Sequence, residues 1–196
     1  MRRDNFSLSD KQTLRDEARN RRRAFVAGLD PLAHRLAFKV LPSPLADRIG
    51  ARDTIALYVA MDDEAPAQRL AHALIARGKT VALPRALDRL GSMEFCRWTP
   101  EDALVSGPFG TSHPASGSQI VAPDAIIAPL LAFDLAMGRL GQGGGYYDRA
   151  FARHPDSLRI GIAWSVQQLA HVPMDPWDLP LDAVLTETSF IEGAQA

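Results

Sequence analysis

Short apolar runs that alternate with helical stretches constrain this chain most. Thr54–Ala60, Thr80–Leu83, Asp124–Leu131, Arg159–Ala163 and Ala183–Thr186 each read as a buried strand, and Met93–Trp98 as a further one. Between them lies an amphipathic helical segment, Pro66–Arg77, closed by Gly78, and a second helix starts from Gly143. Such alternation predicts a three-layer α/β/α sandwich with a mainly parallel, Rossmann-like sheet. Ligands of these sheets bind at the carboxyl ends of the strands. The 196 residues suit a single domain, 1–196. With 46% hydrophobic and 23% charged residues the composition is that of a soluble globular chain rather than a disordered one. Residues 99–123, rich in Pro, Gly and Ser, read as a long loop.

Two helices precede the first strand. One runs from about Asp10 to Ala27, with Ser9 as N-cap and Gln12 completing a capping box. The other starts at Asp30-Pro31 and ends before Pro42. Lys11, Arg15, Arg19 and Arg22 recur at spacings of four, four and three, so they share one face of the first helix. Residues 1–25 hold eight basic and four acidic side chains, although the whole chain has a net charge of -1. That overall balance argues against general nucleic-acid coating. The stripe itself is either a solvated face or the wall of an anion site.

The segment Pro129–Arg149 leads from a buried strand into a helix and carries five glycines, Gly138, Gly141, Gly143, Gly144 and Gly145. Glycines let the backbone turn several N–H groups toward one point, and the helix behind them adds free N–H groups and a positive dipole end. This predicts a phosphate loop at 138–148. Arg139 supplies a fork suited to phosphate oxygens, and Asp148 stands where it can hold a Mg2+ ion bridging them. The alternative is a flexible loop capped by an ordinary helix. No Lys-Ser or Lys-Thr follows the glycines, which excludes a Walker A loop. Tyr146 stands where a dinucleotide fingerprint needs glycine, so a nicotinamide enzyme is a poor reading.

Other residues say less. A lone Cys96 in a strand reads as an inert buried thiol, and the histidines show no metal-ligand spacing. Trp98, Trp164 and Trp177 are core candidates, with Trp164 also a candidate for a pocket wall. Glu64 alone is an ordinary turn acid, and Asp178 alone a turn cap. No apolar run is long enough to span a bilayer and no secretory leader is visible, so a cytoplasmic monomer without membrane or nucleic-acid partners is expected.

The string Arg139-Leu140-Gly141-Gln142-Gly143-Gly144-Gly145-Tyr146-Tyr147-Asp148, preceded by Ala132-Phe133-Asp134, resembles the signature of the 5-formyltetrahydrofolate cyclo-ligase family. Lys11-x-x-Leu14-Arg15, Tyr58-Val59-Ala60-Met61-x-Asp63-Glu64, Leu83-Pro84-Arg85, Ala163-Trp164-x-x-Gln167, Pro173, Asp178, Asp182 and Thr186-Glu187 are similar to other family segments, in the same order. The resemblance implies ATP- and Mg2+-dependent closure of 5-formyltetrahydrofolate to 5,10-methenyltetrahydrofolate, releasing ADP and phosphate. It implies that Lys11, Arg15, Arg139, Gly141, Gln142, Gly143, Gly144, Gly145, Tyr146 and Tyr147 hold ATP. Val59, Met61, Glu64, Tyr146 and Trp164 would hold the folate, and Asp148 and Asp178 the Mg2+. Arg139, Tyr146 and Tyr147 would serve catalysis. This chain departs from the pattern at Gly144, where some members carry lysine, at Ala65-Pro66-Ala67, and at His113, where many carry glutamate. The competing reading is a folate- or nucleotide-binding relative without catalysis.

Overall fold

A computed structural model describes residues 8–87 and 92–193. At its centre lies a seven-stranded sheet. In chain order its strands are β1 (Thr54–Ala56), β2 (Thr80–Ala86), β3 (Met93–Arg97), β6 (Ala125–Pro129), β9 (Leu158–Ile162), β10 (Ala183–Leu185) and β11 (Phe190–Glu192). Two-stranded hairpins supply β4 (Leu104–Ser106) with β5 (Ser112–Pro114), and β7 (Ala132–Phe133) with β8 (Arg139–Leu140). Across the main sheet the order is β11-β10-β9-β6-β1-β2-β3. Pairs β1/β2, β1/β6, β6/β9 and β9/β10 are parallel, and the edge strands β3 and β11 run antiparallel. From β1 the chain winds first to β2 on one side, then returns to β6 and proceeds the other way. The reversal therefore falls between β1 and β6, where a doubly wound sheet opens a crevice.

Both faces of the sheet are covered, which is why its central strands β1 and β6 are continuous apolar runs rather than alternating ones. On one face Ile55, Ala125, Ile127 and Ile160 pack with Leu45 and Ile49 of α3 (Ser43–Ile49) and Ala71 and Leu74 of α4 (Ala71–Ile75). On the other, Ala56, Ala82, Ile126, Ala128 and Val184 meet Ala150 and Phe151 of α5 (Tyr146–Arg153). The expected three-layer sandwich is the observed architecture.

The N-terminal helix α1 spans Leu8–Ala27, so the helix runs through Ser9 instead of being capped there. Ala18 is buried in a small cluster with Leu131, Ala132, Leu140 and Val172, and Leu14, Phe25 and Val26 also pack against the core. Helix α2 (Pro31–Leu36) has its expected cap: the Asp30 carboxylate accepts from the N–H groups of Leu32 and Ala33 at 2.9 and 3.0 Å. It stops well short of Pro42. Phe38 turns into the left-handed region, φ 59°, and delivers its ring edge-on to Trp164, with centroids 5.1 Å apart. The segment 66–77 divides into a 3-10 turn, Ala67–Leu70, and the short α4. The supposed loop 99–123 contains the β4–β5 hairpin.

Candidate active site

The ends of the parallel strands and one face of α1 enclose a cavity of about 640 Å3. Val59, Met61 and Glu64 line it from the turn after β1, Pro84 from the end of β2, and Pro129 from the end of β6. The glycine loop from Gly141 to Gly145 forms another wall and Tyr146, Tyr147 and Asp148 of α5 continue it. Lys11 and Arg15 enter from α1, and Asp175, Trp177 and Asp178 from the loop before β10.

The basic stripe of α1 faces this assembly rather than solvent. Lys11, 6% exposed, lies 2.7 Å from Asp175 and 3.5 Å from Asp178. Arg15 donates through Nε to the Gly141 carbonyl at 3.1 Å. Arg19 donates to the Gln142 side-chain oxygen at 3.2 and 3.0 Å. Arg22 is buried and donates to Asp63 at 2.9 Å. Arg21 and Arg23, off the stripe, are exposed. A buried cation without a partner costs several kcal/mol, so α1 is committed to this position.

The glycine loop is shaped by its dihedral angles. Gly143 has φ +97° and Gly145, the residue before α5, has φ +65°. The carbonyls of Gly141 and Gly144 are drawn to Arg15 and Arg149. Among the described residues, none accepts a hydrogen bond from the amides of Gly141 to Gly145. With two carbonyls tied to arginines and no acceptor on these amides among the described residues, a loop of this kind at a helix start can receive an anion. Arg139 extends it: its guanidinium pairs with Asp148, lies over the rings of Tyr147 and Phe151, and leaves Nε without a partner among the described residues.

Glu64 is 7% exposed; its Oε2 accepts from the Met61 amide at 3.2 Å and its Oε1 lies 3.5 Å from the Gln142 side-chain amide. Burial pushes its carboxyl above the usual range, opposed by the Met61 hydrogen bond and Arg22. Tyr58 and Tyr147 are raised as well, by burial first and Glu64 second, so both stay neutral phenols.

Asp148 and Asp178 both face the cavity, each paired with a cation, and Asp178 also caps a turn by accepting from the Asp175 amide at 2.8 Å. Among the described residues no group of three or more His, Cys, Asp or Glu side chains forms a metal cage. This donor set fits Mg2+, which typically takes one or two carboxylates and completes its shell from phosphates and water.

Trp164 is the one expected site residue outside the cavity wall. It is fully buried against Phe25, His34 and Phe38, and its indole N–H donates to the Asp63 carbonyl at 3.0 Å. It supports the 61–64 turn from behind. Gln167 plays a similar part, donating to the carbonyls of Leu130 and Leu131 at 2.7 and 3.2 Å. Asp134 accepts from the amides of Gly138 and Val172 at 2.9 and 2.7 Å and thereby shapes the glycine segment. Sequence reasoning missed Asp175, a loop acid with no motif around it, and Trp177, expected in the core, is instead 73% exposed at the cavity edge.

A family model described as the 5-formyltetrahydrofolate cyclo-ligase family matches residues 7–187. The 5-formyltetrahydrofolate cyclo-ligase of Escherichia coli (strain K12) is 34% identical over 146 residues, covering 71% of this chain and 80% of that protein. The enzyme of the same name from Haemophilus influenzae is 34% identical over 139 residues, 67% of this chain and 74% of that one. The solved structure of Aquifex aeolicus 5,10-methenyltetrahydrofolate synthetase superposes with a TM-score of 0.75 at 29% identity, covering 95% of this chain and 94% of that one. With the motif string, the sheet order and these matches in agreement, the chain belongs to the 5-formyltetrahydrofolate cyclo-ligase family.

Proposed function

We propose that this protein closes 5-formyltetrahydrofolate to 5,10-methenyltetrahydrofolate, converting ATP to ADP and phosphate. The observation that carries the reading is the convergence of three walls on one cavity: the cationic face of α1, the amide-bearing glycine loop, and the buried acid Glu64. The first two suit a triphosphate and the third the N–H donors of a pterin.

The formyl group is an amide, and its oxygen is a poor leaving group. Transfer of the γ-phosphoryl group to that oxygen makes it a good one. N10 then attacks the formyl carbon, the C–O bond breaks, N10 loses its proton, and the former formyl oxygen departs in phosphate. Lys11, Arg15, Arg139 and the amides of Gly141 to Gly145 hold the phosphates and spread their charge. Gln142, between Arg19 and Glu64, joins the nucleotide loop to the folate turn. Val59 and Met61 give the folate its apolar contacts, Glu64 orients it, and Tyr146 and Tyr147 occupy the wall between the two substrates. Asp148 and Asp178 would hold Mg2+, which screens the phosphates when bound. Alignment of two substrates is the main catalytic contribution of such a site.

Purified protein with 5-formyltetrahydrofolate, ATP and Mg2+ should develop the near-ultraviolet absorbance of the methenyl product, with one ADP released per product. Binding of both ligands without ADP release would instead mark a non-catalytic relative.

A further inference from the structure

We propose that Arg22 is a positioning residue for the folate end of the site: from α1 it holds the Asp63–Glu64 turn and keeps Glu64 facing the cavity as a carboxylate. The inference rests on the reading of Glu64 as the acid that meets the folate.

Arg22 is 5% exposed and spans two acids, with Nη2 2.9 Å from Asp63 Oδ1 and Nη1 4.0 Å from Glu64 Oε1. The turn it grips comes from a distant part of the chain, 41 residues on. Trp164 holds the same turn through the Asp63 carbonyl. The turn is thus tied to both α1 and the segment after β9.

The surroundings of Glu64 give the arginine a purpose beyond packing. Asp63 neighbours it on its own turn, Tyr58 stands after β1, Tyr147 comes from α5 and Gln142 from the glycine loop. Among the described residues that act on Glu64, Arg22 is the cation. Burial favours the neutral acid, and Arg22 opposes it. A protonated Glu64 would present an O–H where a pterin needs an acceptor. The arginine is also an expensive way to fill space, because its Nε has no acceptor among the described residues. A buried donor in that state costs about 1–3 kcal/mol, which an apolar side chain of similar volume would avoid.

The test is binding of 5-formyltetrahydrofolate, without ATP, measured from about pH 5 to about pH 9. It compares wild-type protein with Arg22→Lys, Arg22→Gln and Asp63→Asn, with ATP affinity and circular dichroism as controls. Arg22→Gln is expected to move the binding midpoint to higher pH; for every pH unit the midpoint moves, binding on its acid side weakens about tenfold. Arg22→Lys should largely restore the wild-type profile. Asp63→Asn removes an anion beside Glu64 and releases Arg22 to it, so its midpoint should move to lower pH. ATP affinity should stay within about twofold throughout. Simple loosening of the turn cannot move the two profiles in opposite directions. An unmoved midpoint in Arg22→Gln, or a shared direction in both variants, overturns the proposal. Should Arg22→Gln fail to fold, an unmoved Asp63→Asn profile overturns it equally. A wild-type protein that binds no 5-formyltetrahydrofolate defeats the folate reading itself, a result separate from the others.

Discussion

Replacing Gly143 by alanine separates the backbone geometry of the glycine loop from its side chains. At φ +97° an L-residue is strained whatever the space around it. Space is adequate: a Cβ would lie 3.4 Å from the Arg15 guanidinium carbon and 3.6 Å from its Nε, ordinary contacts. The dihedral therefore decides the outcome. If the loop keeps its shape, the strain costs about 1–2 kcal/mol. For a domain of this size that lowers Tm by roughly 2–8 °C. If the loop relaxes by rotating a peptide, stability recovers but an amide turns away from the phosphates. Losing one hydrogen bond to a charged group costs about 1.5–3 kcal/mol, or about 10- to 150-fold in ATP affinity. Gly144→Ala is the control. Its φ lies outside the left-handed range, and its Cβ would meet the movable ring of Tyr146 at 3.1 and 3.3 Å. It should change Tm by less than about 2 °C. Calorimetric titration with ATP and Mg2+, thermal unfolding, and a parallel folate titration together read the result. Gly143→Ala with wild-type ATP affinity and wild-type Tm would refute the argument that this backbone cradles phosphate.

Three further outcomes follow from the site. Glu64, whose folded pKa lies above the ordinary glutamate value of 4.5, gains stability from protonation as pH falls from that raised value toward 4.5 and costs stability when ionised at neutral pH. Glu64→Gln should therefore raise Tm at neutral pH, flatten that pH dependence, and weaken folate binding; a lower Tm in a folded variant would contradict the sign. Trp164→Ala should lose about 3–5 kcal/mol in urea unfolding. Trp164→Phe should lose about 1 kcal/mol for the missing bond to Asp63. Both should raise the folate Kd, and an unchanged Kd would detach this ring from the turn it backs. Asp148 is the ion partner of Arg139, whose side chain is only 5% exposed, so Asp148→Asn should lower Tm while leaving the fold intact. Steady-state turnover should fall at least about tenfold, equivalent to ~1.4 kcal/mol of lost transition-state contact, and full turnover would remove Asp148 from the metal role.

The layered architecture was legible because each central strand is a short continuous apolar run, a pattern that burial on both faces imposes. The glycine loop was legible because its conformation needs residues without Cβ. The end of α2 was not, since periodicity through Val40 says nothing of the reversal at Phe38, which the Trp164 ring demands. Strand β11 and the β7–β8 hairpin are too short for periodicity to register. For the basic stripe, spacing alone could place four cations on one face but not say what the face meets. Asp175, Asp63 and the Gly141 carbonyl lie far along the chain, and only the fold brings them there. Trp164 misled for the converse reason. An aromatic near a strand end suits a pocket wall as well as a core, and its contacts with Phe25 and Phe38 decide for the core.

The wall formed by α1 also has a consequence for biosynthesis. Lys11 finds Asp178 only 167 residues later. At about 5–20 residues per second a ribosome takes roughly 8–33 s to deliver that partner. Until then Lys11, in a 20-residue helix that is marginal by itself in water, lacks this partner. Helix α1 thus emerges well before its last partner, and the cavity is completed only once the segment around Asp178 has been translated.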